Sequence, residues 1–166
     1  LQLMIQIGVI GGGKTDKITQ DIATEVGREI AKSGNVLVCG GLGGVMEASA
    51  KGAKAERGIT VAILPGINKD EANKYMDIKI ITGMNHARNT IIAWSADALI
   101  AVKGSMGTLS EIALALKMDK PVIIIKNIEE MVNIAEISEK FQLQKKYNLH
   151  FVEDAKTAVE LALKCL

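Results

Sequence analysis

The stretch ALIAVKGSMGTLSEIALALK, residues 98–117, decides the fold of this chain. Residues 98–102 form an apolar run with the length and branching of a buried strand, and residues 103–108 interrupt it with small side chains. Residues 109–117 carry apolar side chains at helical spacing, which predicts a helix. A strand, a glycine turn and a helix point free N–H groups and a helix dipole at one place, which suits a phosphate. Glu111 adds a carboxylate beside that place.

The rest of the chain repeats this alternation of strand and helix. Apolar runs predict strands at 3–10, 36–39, 59–64, 78–81, 122–125 and 149–152. Helical patterns predict helices from about 16, where Thr15 is the expected cap, and at 45–55, 85–94, 128–146 and 155–163. The strands are apolar throughout, as in sheets covered on both faces. We therefore predict a single doubly wound, Rossmann-like α/β domain over residues 1–166, with a mainly parallel sheet of about six or seven strands.

Eleven of the 16 glycines follow the carboxyl end of a predicted strand. Open α/β sheets bind ligands at that edge, and glycine lets the backbone approach a ligand closely. A single glycine in such a turn needs no ligand to explain it, so the argument depends on five glycine-bearing turns sharing one edge. The candidate ligand-edge residues among them are Gly11, Gly12, Gly40, Gly41 and Gly43.

Composition excludes several classes of function. The formal net charge is +1 and aromatic residues are 3%, which leaves neither a basic surface for nucleic acid nor platforms for stacking bases. No apolar run reaches the ~20 residues that span a bilayer, and no basic leader precedes the first strand. Cys39 and Cys165 are too few for a disulfide framework or a metal cluster. We expect a cytoplasmic protein with no metal, nucleic-acid or membrane partner.

Residues 8–15, GVIGGGKT, match the Walker A pattern of P-loop nucleotide hydrolases. In a P-loop, the chain leaves the strand after the first glycine, whereas Val9 and Ile10 here continue an apolar strand. None of the predicted strands ends in an aspartate that could help to hold magnesium. A P-loop hydrolase is therefore a distant alternative, and the same turn also lacks the G-x-G-x-x-G pattern of dinucleotide sites.

Residues 103–111, KGSMGTLSE, resemble the motif Pro-Gly-Gly-x-Gly-Thr-x-x-Glu of a known superfamily. The positions that keep the motif residue are Gly104, Gly107, Thr108 and Glu111. Two residues depart from it, because Lys103 replaces the proline and Ser105 replaces the second glycine.

Two further motifs support this resemblance. Met84 and Arg88 match a methionine followed after a few residues by an arginine, and residues 40–48 resemble a glycine-rich turn that leads into a small-residue helix. Over residues 5–125 the chain resembles the Rossmann-type superfamily once mislabelled lysine decarboxylases. That superfamily includes the LONELY GUY phosphoribohydrolases and the molybdenum cofactor carrier proteins, and small prokaryotic proteins near the carriers form the most similar branch.

The resemblance implies a nucleotide-binding protein that cleaves the N-glycosidic bond of a nucleoside 5′-monophosphate, with no required cofactor. Arg88 and Glu111 would be catalytic, and Met84 would lie at the ligand edge. Phosphate binding would fall to Gly104, Ser105, Gly107 and Thr108. The alternative is a carrier or sensor that binds molybdopterin or a nucleotide without turnover, and the departures from the phosphate motif point that way. The superfamily also implies a homodimer, to which residues 85–94 would contribute.

Several of these residues have a second interpretation. Thr108 and Glu111 also fit a capping box, T-x-x-E. Arg88 fits a solvated helix residue, and Lys103 fits either a cation at the phosphate site or an exposed turn residue. Ser105 either strains a turn that needs positive φ or offers a hydroxyl to phosphate. The sequence alone leaves these alternatives open.

Overall fold

The computed structural model describes residues 3–126 and 129–166. Seven strands lie in this part of the chain, and each coincides with a predicted apolar run. They are β1 (Gln6–Ile10), β2 (Val36–Cys39), β3 (Ile59–Leu64), β4 (Ile78–Ile81), β5 (Ala98–Ala101), β6 (Val122–Ile125) and β7 (Leu149–Val152).

Helices alternate with these strands. They are α1 (Lys17–Lys32), α2 (Val45–Ala55), α3 (Asn89–Ser95), α4 (Met106–Lys117), α5 (Glu129–Phe141), α6 (Leu143–Lys146) and α7 (Ala155–Lys164). Short 3₁₀ turns occupy Lys69–Glu71 and Asn85–Arg88. No helix in the described ranges has the length and apolarity that crossing a bilayer requires.

The strands form one sheet in the order β4-β3-β2-β1-β5-β6-β7, and all six pairs are parallel. Helices cover both faces. One buried cluster joins the sheet to α1, α2 and α7, and a second joins its other face to α3 and α4. β5 and β6 are buried at every position, as expected for strands covered on both sides. The predicted doubly wound, Rossmann-like fold is confirmed.

Some predicted helix ends are wrong. Asp16 rather than Thr15 caps α1, because its carboxylate reaches the Thr19 N–H at 2.8 Å. α4 begins at Met106, three residues before the predicted start, since Gly107 lies inside its first turn. The helix predicted at 85–94 consists of a 3₁₀ turn followed by α3.

The helix predicted at 128–146 is divided. In the described part, α5 ends at Phe141 and α6 follows, with Gln142 between them in the left-handed conformation at φ 53°. Ile128, the predicted first residue, lies outside the described residues. A left-handed residue cannot continue the hydrogen-bond ladder of a helix, so the pattern is broken there.

The small residues of α2 allow it to pack tightly against α1. A Cβ added at Gly52 would overlap the carbonyl oxygen of Thr24, and one at Gly27 would overlap that of Ser49. Neither glycine can therefore be replaced without separating the two helices. This pair forms the wall beside β1 and β2, whose carboxyl ends open onto the site described next.

Candidate functional site

The strand order reverses between β1 and β5, which pair at the centre of the sheet. Such a switch point leaves a crevice beyond the carboxyl ends of the two strands, because their following loops turn to opposite sides. The loops meet where the Gly12 N–H donates to the Lys103 carbonyl oxygen at 2.7 Å. The Val45 N–H donates in turn to the Gly12 carbonyl oxygen at 3.0 Å, which joins the loop after β2 to this edge.

A cavity of about 160 Å³ lies at this switch point. It brings together seven of the residues predicted from the sequence: Gly11, Gly12, Arg88, Ser105, Gly107, Thr108 and Glu111. Its other lining residues are Gly13, Met46, His86 and Asn89. The cavity is smaller than the ~300 Å³ typical of sites that enclose a drug-sized ligand, so it suits one end of a larger molecule.

Five predicted residues are not among those that line the cavity. Gly40 and Gly104 support it, since an added Cβ would overlap the Arg88 guanidinium at the first and the Thr108 hydroxyl at the second. Gly41 has φ +77° and accepts the Asn73 N–H at 2.8 Å, so it shapes the loop after β2. Gly43 lies beside Gly13, in the loop that follows β1. Met84 is 46% exposed.

Arg88 is buried, which excludes the solvated alternative. It closes the 3₁₀ turn before α3, and only 8% of its surface is exposed. Its Nε has no hydrogen-bond partner among the described residues. Burial lowers the pKa of the guanidinium, and the charge of Glu111 opposes this shift. A buried cationic donor without an acceptor is costly, so this side chain is poised to receive an anion.

Glu111 lies in the second turn of α4 and is 7% exposed. Burial raises the pKa of this carboxyl to about 7, against the opposing charge of Arg88. Neither side chain has an ion-pair partner at salt-bridge distance within the described ranges. A carboxyl with this pKa exists in both protonation states near neutral pH, which suits proton transfer.

The capping-box interpretation of Thr108 and Glu111 is wrong. Ser105 is the N-cap of α4, so Thr108 is already the third helical residue and Glu111 lies beyond the first turn. The Ser105 side chain makes no capping hydrogen bond, and the first turn contains no acidic residue. The first N–H groups of α4 therefore lack a side-chain cap and favour an anion.

The two departures from the family motif are compatible with this geometry. Ser105 has φ −118°, an ordinary extended conformation, so it needs no glycine. Gly107 has no atom within 4 Å of an added Cβ, which leaves that side of the helix start open. Lys103 binds Asp16 through Nζ and Oδ2 at 3.0 Å and so connects the β5 loop to the start of α1.

The Walker-like segment does not have the geometry of a P-loop. Val9 and Ile10 lie in β1, and Lys14 is exposed. Thr15 precedes the cap of α1, which starts only at Lys17. In a P-loop, the lysine and threonine are the first residues of the helix that follows the phosphate loop. The match therefore extends to the sequence pattern but not to the structure.

A wider groove of about 260 Å³ lies between α1 and α2. Its lining mixes both charges, with Lys17, Asp21, Glu47 and Lys51 among its residues. None of the buried, unpartnered polar atoms of the described residues belongs to it, whereas Arg88 belongs to the switch-point cavity. Of these two, the smaller cavity is therefore the better candidate site.

Four of the cavity residues were not assigned to the site from the sequence: Gly13, Met46, His86 and Asn89. Met46 lies within the glycine-rich motif at residues 40–48, and His86 is exposed, so neither has a separate signal in the sequence. Asn89 directly follows Arg88 of the family motif, and that position in the chain is the signal for it.

Comparison with known proteins identifies the family. Residues 4–159 match the profile of the SLOG cluster4 family. The chain belongs to that family. As a SLOG cluster4 member it is 58% identical over 123 residues to an uncharacterized protein of Archaeoglobus fulgidus, covering 74% of this chain and 81% of that protein.

A more distant relative is the cytokinin riboside 5′-monophosphate phosphoribohydrolase of Mycobacterium tuberculosis. It is 35% identical over 115 residues, an alignment that covers 63% of this SLOG cluster4 chain and 61% of the enzyme. The similarity therefore spans less than two thirds of that enzyme's length.

Two solved structures are similar over nearly the whole chain. The molybdenum cofactor binding protein of Rippkaea orientalis has a TM-score of 0.89 at 34% identity and covers 99% of both chains. The Moco carrier protein of Chlamydomonas reinhardtii has a TM-score of 0.84 at 36% identity, covering 99% of this chain and 100% of its own. The resemblance predicted from the motifs is confirmed.

Proposed function

We propose that this SLOG cluster4 protein binds the phosphate of a nucleoside 5′-monophosphate and slowly hydrolyses its N-glycosidic bond. The observation that carries the proposal is the buried Arg88, whose Nε has no partner among the described residues although it lines a cavity beside Glu111. A phosphate oxygen would supply the missing acceptor, and guanidinium–phosphate pairs are among the stronger hydrogen bonds in proteins.

The phosphate would lie at the start of α4. The uncapped N–H groups of the first turn face an opening that Gly107 leaves free, and Ser105 and Thr108 place hydroxyls beside it. The size of the cavity suits a phosphorylated sugar, with the base extending past Met84 and His86 toward solvent. These features support a phosphate ester as the ligand.

Glu111 would then carry out the chemistry. As a carboxylate it stabilises positive charge on the ribose and takes a proton from the attacking water. Water adds to the anomeric carbon, and the bond to the base breaks with its electron pair going to the base. The base takes up a proton from solvent, and Glu111 returns to solvent the proton it took from the water. The Glu111 carboxyl has a pKa of about 7, so a large fraction of it is ionised at neutral pH. The relative from M. tuberculosis is named for this type of reaction.

A second candidate is a carrier that binds molybdopterin or a nucleotide without turnover. It is favoured by the similarity to the R. orientalis and C. reinhardtii proteins, which spans 99% of this chain, against 63% for the phosphoribohydrolase. Molybdopterin also bears a phosphate monoester, so the same Arg88 and the same helix start would hold it. Only the use of Glu111 differs between the two candidates.

The experiment is to incubate the protein with AMP and a panel of other monophosphates and to follow free base and ribose 5-phosphate. Calorimetry with AMP and with molybdopterin measures binding in parallel. Arg88→Ala is expected to weaken AMP binding at least ~10-fold, the scale of a lost charge-assisted contact. Arg28→Ala, on the exposed side of α1, is the control. Binding without base release would favour the carrier. If the protein neither binds these ligands nor releases base, both candidate functions are rejected.

We also propose a homodimer. On the face of the sheet that α3 covers in part, Ile78 and Ile80 of the edge strand β4 remain 49% and 44% exposed, and Trp94 of α3 is 61% exposed. A second copy could bury these side chains. Light scattering at micromolar concentration is expected to give a dimer that Trp94→Glu dissociates and Ile18→Glu, on α1, does not. A monomeric wild-type protein would overturn this assembly.

A further inference from the structure

Asn89 makes a two-step hydrogen-bond chain to the start of α4. It is the first residue of α3, it lines the cavity, and 7% of its surface is exposed. Its Nδ2 donates to Ser110 Oγ at 3.0 Å, and the Ser110 hydroxyl donates to the Gly107 carbonyl oxygen at 2.7 Å. Because the hydroxyl proton is used on Gly107, Ser110 can only accept from Asn89. The chain therefore fixes which end of the amide faces Ser110.

The other end of the amide, Oδ1, has no donor among the described residues. Within the described part of the chain, the fully buried polar atoms that lack a partner include Arg88 Nε but not Asn89 Oδ1. The oxygen therefore keeps some accessible surface. Since Asn89 lines the cavity, this oxygen is open to it. The structure thus presents an oriented, neutral acceptor in a site where the N–H groups at the start of α4 and the Arg88 guanidinium are donors and Glu111 is the ionisable acceptor.

This acceptor does not suit the phosphate. A phosphate monoester is largely dianionic at neutral pH and offers oxygens rather than protons. Oδ1 therefore needs a donor on the part of the ligand that follows the phosphate. In a nucleoside 5′-monophosphate, the hydroxyl donors nearest the phosphate are those of the ribose.

We propose that Asn89 Oδ1 accepts a hydrogen bond from a ribose hydroxyl, so that the site selects ribonucleotides over deoxyribonucleotides. This inference rests on the proposed nucleotide function and adds a specificity-determining residue to it. The Ser110 contact is a positioning interaction, because it acts only by holding the Asn89 amide in one orientation. A deoxy analogue would leave the acceptor unpaired in a buried site, which is the arrangement that rejects ligands most effectively.

The test is calorimetry with AMP, 2′-deoxy-AMP and 3′-deoxy-AMP. Wild-type protein is expected to bind AMP about 10-fold more tightly than at least one deoxy analogue, the scale of a single neutral hydrogen bond. Asn89→Leu, similar in volume, is expected to abolish that preference. Ser110→Ala is expected to reduce it, since the amide is then free to rotate. Gln20→Leu removes an exposed amide from α1 and is expected to preserve it.

The outcomes separate the two proposals. Equal affinity of wild type for all three nucleotides, or a preference that survives in Asn89→Leu, would overturn the role of Asn89 and leave the nucleotide function standing. No binding of any of the three would overturn the nucleotide function and this inference with it. Thermal unfolding verifies that the variants fold, and Asn89→Ser, which withdraws the carbonyl oxygen from the cavity, replaces Asn89→Leu if that variant does not.

Discussion

Two helices begin at the switch point, and only one of them has its start satisfied by the protein itself. At α1, the Asp16 carboxylate accepts the Thr19 N–H at 2.8 Å and the Lys103 ammonium at 3.0 Å. At α4, Ser105 makes no side-chain cap, and Gly107 leaves the first turn open. Both helices follow neighbouring strands, β1 and β5, so the difference lies in their first residues and not in the fold.

This contrast locates the candidate site at one helix. A carboxylate at the start of α1 uses the positive end of that dipole and would repel a second anion. The start of α4 instead faces the buried Arg88 across a common cavity. The Walker-like letters precede α1, whereas the open helix start belongs to α4, and this explains why the match misleads.

The largest expected effect concerns what Glu111 adds at the open helix. Glu111→Gln is expected to reduce release of base from AMP at least ~100-fold, the scale of a lost catalytic carboxylate. AMP affinity should stay nearly constant, because in the proposed complex α4 and Arg88 hold the phosphate. Glu160→Gln, an exposed carboxylate of α7, is the control. Chromatographic detection of free base measures this, and turnover close to wild type would assign Glu111 to binding or packing alone.

The pH dependence of the free energy of unfolding should differ between the acidic residues of α4 and α1, and Glu111 of α4 should have the larger effect. Its folded-state pKa is raised from 4.5 to about 7 by burial, so the folded state keeps a proton that the unfolded chain releases in this window. Stability therefore falls as pH rises from about 4.5 to 7. Relative to wild type, Glu111→Gln should gain about 3 kcal/mol in unfolding free energy between pH 4 and pH 8. Urea unfolding measures it, and parallel curves would contradict the buried acid.

Ser105→Asp would make the start of α4 resemble that of α1. Ser105 already has the extended backbone that an N-cap requires, at φ −118° and ψ −152°. The new carboxylate is expected to raise stability by about 1 kcal/mol, because it caps the first N–H groups of α4. It is expected to weaken AMP binding about 10-fold, because it occupies those N–H groups and repels the phosphate. Ser105→Ala, which removes only the hydroxyl, should change stability little. Calorimetry and urea unfolding measure both, and unchanged affinity would place the phosphate elsewhere.

Asp16→Ala makes the opposite change and has the smallest expected effect. Loss of the α1 cap should lower the Tm by roughly 2–4 °C while AMP affinity stays unchanged. The Thr19 N–H, and then Lys103, lower the pKa of Asp16 from 3.8 to about 2. Its contribution is present above pH 3.8 and is lost as pH falls through 2, so the two proteins should converge there. Reduced AMP affinity would show that α1 also contributes to binding.

Much of the fold could be predicted from local patterns. Apolar runs identified all seven described strands, since strands covered on both faces are continuously apolar. Helix starts were less predictable, because a cap depends on which side chain reaches a free N–H. Thr15 and Asp16 are both good N-cap residues, and the two possible starts of α1 differ by a single position.

The candidate site was predictable only in part, and for a similar reason. The family motifs named Arg88 and Glu111, but their burial depends on how α3 packs against α4, which no local pattern gives. Placing the start of α4 three residues late made Glu111 resemble a capping residue. The role proposed for Asn89 depends on a hydrogen bond to Ser110, 21 residues away in the chain.

The pairing of β1 with β5 has a consequence for how the molecule folds. The Gln6 N–H donates to Asp97, 91 residues away, whereas β1, β2 and β3 pair through much shorter loops. Closing the longer loop costs more chain entropy, so we expect β5 to join the sheet late. The cavity lies at this seam, beyond the carboxyl ends of β1 and β5, where the Gly12 N–H donates to the Lys103 carbonyl oxygen. The capacity to bind would then arise at the end of folding, and a ligand would stabilise the seam against opening.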